Sequence, residues 1–300
     1  MRRVVTSASA LLLHLSLAAQ EPVIPLAARV DSYTPKPRVI VMTDIAKTMR
    51  PWLEERFVIG RPEVVEAQHS VDGTRKWLLR TADGHDFEMV FIPDADRGTL
   101  CVSSQVGCTL NCRFCHTGTM KLVRNLTAGE IVGQVMLARD ALGEWPKGNM
   151  AGGTEDEDDE SGHYTADGRM LTNIVMMGMG EPLQNYAETM RFIRIVHDPA
   201  GLDVGARRIT VSTSGIVPKI DALAAEPLQL NLAVSLHAPN DALRSELVPI
   251  NRRYPIAALM ASVDGYIKET GRRVSFEYAL MRGINDSDEV AHELAALLRG

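Results

Sequence analysis

Three cysteines fall within one short stretch, Gly107-Cys-Thr-Leu-Asn-Cys-Arg-Phe-Cys-His116, as Cys108, Cys112 and Cys115, a C-x3-C-x2-C spacing. Three thiolates can hold three irons of a [4Fe–4S] cluster. The chain's other cysteine, Cys101, is seven residues upstream of Cys108. The fourth iron then keeps an open position, and an open position binds a substrate where a closed four-ligand site does not. Such a cluster suits chelation of S-adenosylmethionine through its amino and carboxylate groups, then delivery of an electron that breaks its S–C bond. A structural zinc site is the alternative. It needs a fourth ligand, and His116, adjacent to Cys115, is too close in sequence for the usual pattern. A disulfide framework does not suit 300 residues with four cysteines and 45% hydrophobic content.

The length allows one large domain or two smaller ones, with ample apolar material for a core. The formal net charge is −6, and one run, Glu155-Asp-Glu-Asp-Asp-Glu160, accounts for all of it. The rest is formally neutral, so bulk charge does not advertise nucleic-acid binding. Flanked by Gly152, Gly153, Ser161 and Gly162, the run reads as a solvated acidic loop within 147–170. At the N-terminus, Arg2 and Arg3 precede an apolar stretch over 8–19, superficially like a secretion signal. Export would carry an oxygen-sensitive cluster into an oxidising compartment, so residues 1–41 read as a disordered or atypical N-terminus. No stretch reaches the roughly 20 apolar residues of a membrane span.

The elements that must position these groups follow from periodicity. Residues 46–57 have helical spacing, with Met49, Trp52, Leu53 and Phe57 on one face. Residues 76–80 and 86–92 alternate about the turn Ala82-Asp-Gly84, a β-hairpin. From Gly98 strands alternate with helices. Strands are predicted over 99–104, 171–177, 208–212, 230–236 and 273–280. Helices are predicted after Thr127, with Glu130 in the capping-box position, and over 186–196, 217–225, 242–247, 256–270 and 288–298. That alternation implies a parallel sheet or barrel with right-handed crossovers, whose active residues lie just past the strand C-termini. The unusual sequences sit there: the cysteine loop, Gly178-Met-Gly-Glu-Pro182, Ser212-Thr-Ser-Gly215, Ser235-Leu-His237 and Gly283-Ile-Asn-Asp286.

Together these segments resemble the RlmN/Cfr family of radical S-adenosylmethionine enzymes, over about residues 42 to 300. The resemblance rests on Leu100-Cys-Val-Ser-Ser-Gln-Val-Gly-Cys108, Phe114-Cys-His-Thr-Gly118, Arg124-Asn-Leu-Thr-Ala-Gly-Glu-Ile131, Met177-Gly-Met-Gly-Glu-Pro-Leu183, Ser235-Leu-His-Ala-Pro-Asn240 and Val248-Pro-Ile-Asn-Arg252. The His-Thr-Gly, Pro182 and the Thr-Ser-Gly look like the branch that methylates adenine C2. The resemblance implies an α/β fold, a six-stranded (β/α) TIM-like barrel of which five strands are counted here, preceded by a small hairpin and helical extension over 42–97. It implies that Cys108, Cys112 and Cys115 hold the [4Fe–4S] cluster and that Gly180, Glu181, Ser212, Ser235, Leu236, His237 and Asn285 contact S-adenosylmethionine. Read alone, Gly178 and Gly180 also suit a tight turn, and His237 a structural role. The resemblance makes Cys101 a catalytic thiol and Glu88 a proton acceptor, although by themselves they read as a buried small hydrophobe and an exposed hairpin residue.

The implied reaction methylates C2 of an adenine in 23S ribosomal RNA, with transfer RNA as a further candidate. It uses two S-adenosylmethionine molecules per turnover and an electron donor such as flavodoxin or ferredoxin, in a cytoplasmic monomer. One S-adenosylmethionine methylates a cysteine near the family's C-terminus. The other yields the radical that activates that methyl group, and Cys101 then releases the product by forming a disulfide. All four cysteines of this chain are already assigned, so the sequence reads as truncated at its C-terminus. The expectation is a chain inactive in methyl transfer, with no sixth strand and an open edge on the fifth. The competing readings are a radical S-adenosylmethionine enzyme with another substrate and a zinc-stabilised RNA-binding module. Arg207, Arg208, Arg252 and Arg253 suit phosphate contact or ordinary solvated surface.

Overall fold

A computed structural model of the chain describes residues 4–6, 46–56, 60–95, 97–144, 170–199 and 201–299. The acidic run, Phe57, and most of the N-terminal stretch lie outside them. Among the described residues, one large sheet runs through the molecule and helices pack on one of its faces. It opens with a meander of β2 (Glu63–His69), β3 (Arg75–Arg80), β4 (Asp86–Asp94) and β5 (Arg97–Cys101), all antiparallel. A separate short ladder, β6 (Gln105–Val106) against β7 (Arg124–Asn125), ties the two ends of the cysteine segment together. From β5 onward the pairing in the large sheet is parallel, through β8 (Asn173–Met176), β9 (Ile209–Thr213), β10 (Asn231–Ser235) and β11 (Val274–Glu277). The five predicted barrel strands are therefore present and in order, and the predicted hairpin continues their sheet.

Two expectations need correction. The fifth barrel strand does not have an open edge, because β1 (Val4–Thr6) pairs with it in parallel, Val4 opposite Ser275 and Thr6 opposite Glu277. A backbone edge needs partners for its amides and carbonyls, and here a segment of the chain's N-terminus supplies them. The predicted helix at 46–57 shortens to α1 (Arg50–Arg56) and does not bury its apolar face. Met49 and Trp52 are about half exposed, and the Arg56 guanidinium lies over the Trp52 ring at 4.8 Å.

Side chains on neighbouring strands in register share a face, and successive ones alternate. One face carries Leu100, Ile174, Ile209, Val211, Leu232, Val234, Val274 and Phe276, all essentially inaccessible. It packs against α3 (Ala128–Leu142), α4 (Tyr186–His197), α5 (Val217–Ala224) and α7 (Ile256–Thr270). The helix termini follow their sequence signals. Thr127 and Glu130 form a reciprocal capping box on α3, and Gly143 and Gly271 end α3 and α7 in the left-handed conformation that favours glycine. The opposite face reads Cys101, Val175, Thr210, Ser212, Ala233, Ser235, Ser275 and Glu277, which are mostly small or polar. The sheet thus presents an apolar surface to its helices and a polar surface to whatever it encloses. Among the described residues, no helix is long and apolar enough to cross a membrane.

The segment after β5 cannot continue as a strand, and buried side chains replace the missing ladder. Gln134 of α3 acts as a surrogate strand: its Nε2 donates to the Ser103 carbonyl at 2.9 Å, and its Oε1 accepts from the Ser103 amide at 2.9 Å. Asn185 Nδ2 donates to the Ser104 and Leu126 carbonyls. Ser103 Oγ donates to the Glu88 carbonyl at 2.5 Å and accepts from the Met179 amide at 2.8 Å. Replacing Gln134, which is fully buried, by leucine strands one buried donor and one buried acceptor. At about 1–3 kcal/mol for each such group, Gln134→Leu is expected to lower unfolding free energy by roughly 2–5 kcal/mol in a urea titration.

Candidate active site

The five loops at the C-terminal ends of β5, β8, β9, β10 and β11 meet on one rim, where the sequence placed the unusual segments. Hydrogen bonds run around it from loop to loop. The Ser104 and Gln105 amides donate to the Met179 carbonyl, and Gln105 Oε1 accepts from the Glu181 amide at 2.8 Å. Glu181 reaches the third loop: Oε1 accepts from the Leu183 amide at 3.0 Å and Oε2 from the Ser214 amide at 2.8 Å. The Ser214 carbonyl accepts from Arg244 Nη2 at 2.8 Å, and the same guanidinium donates to the Ser235 and Leu236 carbonyls at 3.0 and 3.1 Å. Leu236 and His237 amides donate to the Glu277 carbonyl. His237 Nδ1 accepts from the Ala279 amide at 3.0 Å, closing the circuit to the fifth loop.

The three cysteines belong to the first of these loops, which ends in α2 (His116–Thr119). Gly107 fixes its entry: φ is +80°, and a Cβ there would lie 2.1 Å from the Lys121 carbonyl oxygen. All four cysteines of the chain are free thiols. Cys108, Cys112 and Cys115 share one small apolar cluster with Leu110 of their own loop and with Ala238, Leu247, Val248 and Met281 from the segments that follow β10 and β11. Burial pushes the Cys108 thiol up and the Cys112 thiol to about 12, with charge repulsion from Cys115 and Glu181 adding to both. The same low-dielectric surroundings that disfavour free thiolates favour thiolates neutralised by metal. Three free thiols on one loop in a shared apolar pocket are a donor set that fits a cluster held by three thiolates.

The remaining predicted residues divide into three groups. Cys101 and Ser212 lie on the polar face of the sheet, both buried, and burial pushes the Cys101 thiol to about 12. Glu88 stands on β4, two residues from Val90, the register partner of Cys101, so it shares that face. Its carboxylate pairs with Lys76 at 2.7 Å and is well exposed. Gly180, Glu181, Ser235, Leu236, His237 and Asn285 are on the rim, where several also have packing or hydrogen-bonding roles within the chain. Gly178 and Gly180 are required by the chain's own packing: a Cβ on Gly178 would lie 2.8 Å from the Val102 backbone, and one on Gly180, where φ is +95°, 2.4 Å from Gln105 Cβ. The Asn285 amide is spent internally, donating to the His237 and Ala279 carbonyls and accepting from the Met281 amide. It positions the fourth and fifth loops against each other.

His237 has left-handed φ of 57°, and its ring packs edge-on against Phe114 of the cysteine loop at 4.2 Å. Burial, aided by the Arg244 charge, lowers its pKa to about 3, so the ring is neutral at ordinary pH. Sequence reasoning missed Arg244 and Ser214. The four arginines suspected of phosphate contact are exposed, with Arg253 over the Tyr254 ring.

Residues 102–295 match a family model described as the radical SAM superfamily. The chain is 65% identical over 259 residues to the dual-specificity RNA methyltransferase RlmN of Erythrobacter litoralis (strain HTCC2594), covering 86% of this chain and 61% of that protein. It is 65% identical over 266 residues to the protein of the same name from Novosphingobium aromaticivorans, covering 86% and 62%. A crystal structure of a radical SAM methyltransferase from Sphaerobacter thermophilus superposes with a TM-score of 0.76 at 53% identity, covering 87% of this chain and 71% of that one. The chain spans about three fifths of the length of these two curated relatives.

Two outcomes test the site. Cys108→Ser, Cys112→Ser and Cys115→Ser should each lose most of the iron bound after anaerobic reconstitution, whereas Cys101→Ala should keep it, as iron and sulfide analysis will report. The second concerns Glu181, whose pKa burial raises from 4.5 to about 7 against opposing hydrogen bonds from Ser214 and Leu183. A folded-state pKa above the unfolded value contributes stability that is full below pH 4.5 and is lost as pH rises through about 7. A tenfold difference in proton affinity between folded and unfolded states is worth about 1.36 kcal/mol, so the metal-free chain should lose on the order of a few kcal/mol between pH 5 and pH 7.5. Glu181→Gln should abolish most of that decline in urea titrations, and an unchanged slope would contradict the assignment.

Proposed function

The chain belongs to the radical SAM superfamily, and from that membership we propose that it serves in methylation of an adenine C2 in RNA, with 23S ribosomal RNA and transfer RNA as substrates. The observation that carries this beyond the superfamily is the placement of Cys101 and Glu88 on the same polar face as Ser212 and Ser235, below the cysteine rim. A thiol and a carboxylate on one face of the sheet support a reaction through a covalent protein–base adduct. The names of the relatives support the RNA substrate.

Cys108, Cys112 and Cys115 hold a [4Fe–4S] cluster. When bound, it supplies an open iron for S-adenosylmethionine and the electron that breaks the cofactor's S–C bond. Gly180 and Glu181 from the second loop, Ser212 from β9, and Ser235, Leu236 and His237 from the fourth loop form the cofactor's walls. Asn285 positions His237 from behind. The Leu110, Leu247 and Val248 side chains pack against the thiols and limit water there, and low dielectric strengthens every polar contact made there.

Cys101 would close the reaction by forming a disulfide with an adduct-bearing, methyl-carrying cysteine that is not one of this chain's four. Its burial keeps it a thiol until a base adduct reaches it, which protects it from oxidation. Glu88, paired with Lys76, takes the proton from the adenine carbon. Two S-adenosylmethionine molecules are consumed per turnover, and a flavodoxin or ferredoxin supplies the electron. The setting is the cytoplasm, where such clusters and thiols survive and where the RNA is found. An unpaired adenine is the natural target, because a loop base can be splayed into a pocket and a helical one cannot.

The test combines cofactor and RNA. Reconstituted, reduced protein should convert S-adenosylmethionine to 5′-deoxyadenosine and methionine. It should also retain an RNA hairpin bearing an unpaired loop adenine in preference to the same hairpin with a pyrimidine there. Absence of 5′-deoxyadenosine, or equal retention of both hairpins, contradicts the proposal.

A further inference from the structure

Arg244 lies on α6 (Asp241–Leu247) and is fully buried, the largest side chain so enclosed among the described residues. Taking a guanidinium out of water is costly unless its charge is met. Its hydrogen bonds go to neutral oxygens: the Ser214, Ser235 and Leu236 carbonyls and, at 2.8 Å, Asn251 Oδ1. Asp241 is reached only through Asn251, whose Nδ2 donates to the Asp241 carboxylate at 2.9 Å. A buried cation is thus left without a directly bonded carboxylate.

The cysteine loop is what it faces. Leu247, three positions after Arg244 and so on its side of the helix, and Val248, just past the helix end, pack in one apolar cluster with Cys112. The Arg113 amide, next to Cys112, donates to the Leu247 carbonyl at 3.0 Å. Ser214, whose carbonyl holds the guanidinium, has its Oγ 4.0 Å from Cys112 Sγ. Charge on Cys112 is felt at Arg244, and it opposes the lowering that burial imposes.

We propose that Arg244 is the buried counter-charge of the iron–sulfur cluster held by Cys108, Cys112 and Cys115, and that it sets how readily that cluster accepts an electron. The inference rests on the cluster reading above. A [4Fe–4S] core with three thiolates is a net anion. One electron, delivered by a low-potential one-electron donor, adds a further negative charge with no bond made or broken. A fixed cation in a low-dielectric pocket stabilises the reduced form more than the oxidised one. Arg244 is therefore a positioning residue that also acts through its charge. Its fork ties the third loop to the fourth, and its cation lies one residue, Ser214, from Cys112. Lysine can keep the charge but not the fork.

The test is an anaerobic redox titration of the reconstituted chain, followed by electron paramagnetic resonance, with iron and sulfide measured on every sample. Arg244→Gln should retain the cluster but reduce it less readily. At the wild-type midpoint its ratio of reduced to oxidised cluster should fall about tenfold, which is 59 mV for one electron. Arg244→Lys should keep a potential near wild type while lowering the thermal midpoint of the metal-free protein. Asp241→Asn preserves an oxygen for the Asn251 and Ile256 donors and removes a negative charge, so it should shift the potential upward. That variant decides the matter if Arg244→Gln does not fold. An intact cluster whose potential ignores both Arg244→Gln and Asp241→Asn overturns the role of Arg244 alone. Wild-type protein that takes up no iron overturns the cluster reading, and this proposal with it.

Discussion

The peptide of Ser214 is gripped from both sides, and the rim of the site depends on that grip. Its amide donates to the Glu181 carboxylate and its carbonyl accepts from the Arg244 guanidinium, each at 2.8 Å. Loops past parallel strands have no ladder of their own, and their backbone groups must find other partners when buried. Here two buried, ionisable side chains supply them. Glu181 binds the second loop to the third, and Arg244 binds the third to the fourth. A buried acid and a buried base that do not touch each other, but share one peptide, cost desolvation twice. Such an arrangement makes sense where further charge is to be accommodated, and three cysteine thiols lie against it.

The same constraint explains the contrast between the two faces of the sheet. The helix-facing side is closed by apolar residues whose burial is worth about 1.5–3 kcal/mol each, which leaves stability to support a polar inner face. Gln134, Asn185 and Gln105 extend that polar scaffold beneath the cysteine loop. Their bonds are local and geometrically demanding, so they fix the path of residues 103–105 into the cysteine loop. Preorganisation of this kind spares a site the reorganisation that would otherwise oppose charge development.

Much of this was legible in the sequence, for identifiable reasons. The 256–270 helix ends where Gly271 permits left-handed φ, and the Thr127–Glu130 box marks a helix start without ambiguity. The five site loops were found because each follows an apolar strand and breaks its pattern. Strand β2 escaped notice because a bulge between Val64 and Glu66 breaks its alternation and charged residues line it. Arg244 escaped because Asp-Ala-Leu-Arg-Ser-Glu-Leu reads as a solvated helix, and arginine is rarely fully buried. Asn285 was found, but spacing does not reveal that its amide also bonds three backbone groups of the fourth and fifth loops. The Val4–Thr6 strand pairs across most of the chain's length, and three residues carry no signal of that partner.

The central claim is that three thiols on this rim hold a cluster with one iron open to S-adenosylmethionine. It is tested most directly by the electron paramagnetic resonance spectrum of the anaerobically reconstituted, reduced protein as S-adenosylmethionine is titrated in. A cluster signal whose g-values change to a new, saturable spectrum is the predicted result. A cluster signal indifferent to the cofactor, or stoichiometric zinc in place of iron and sulfide, would contradict the account.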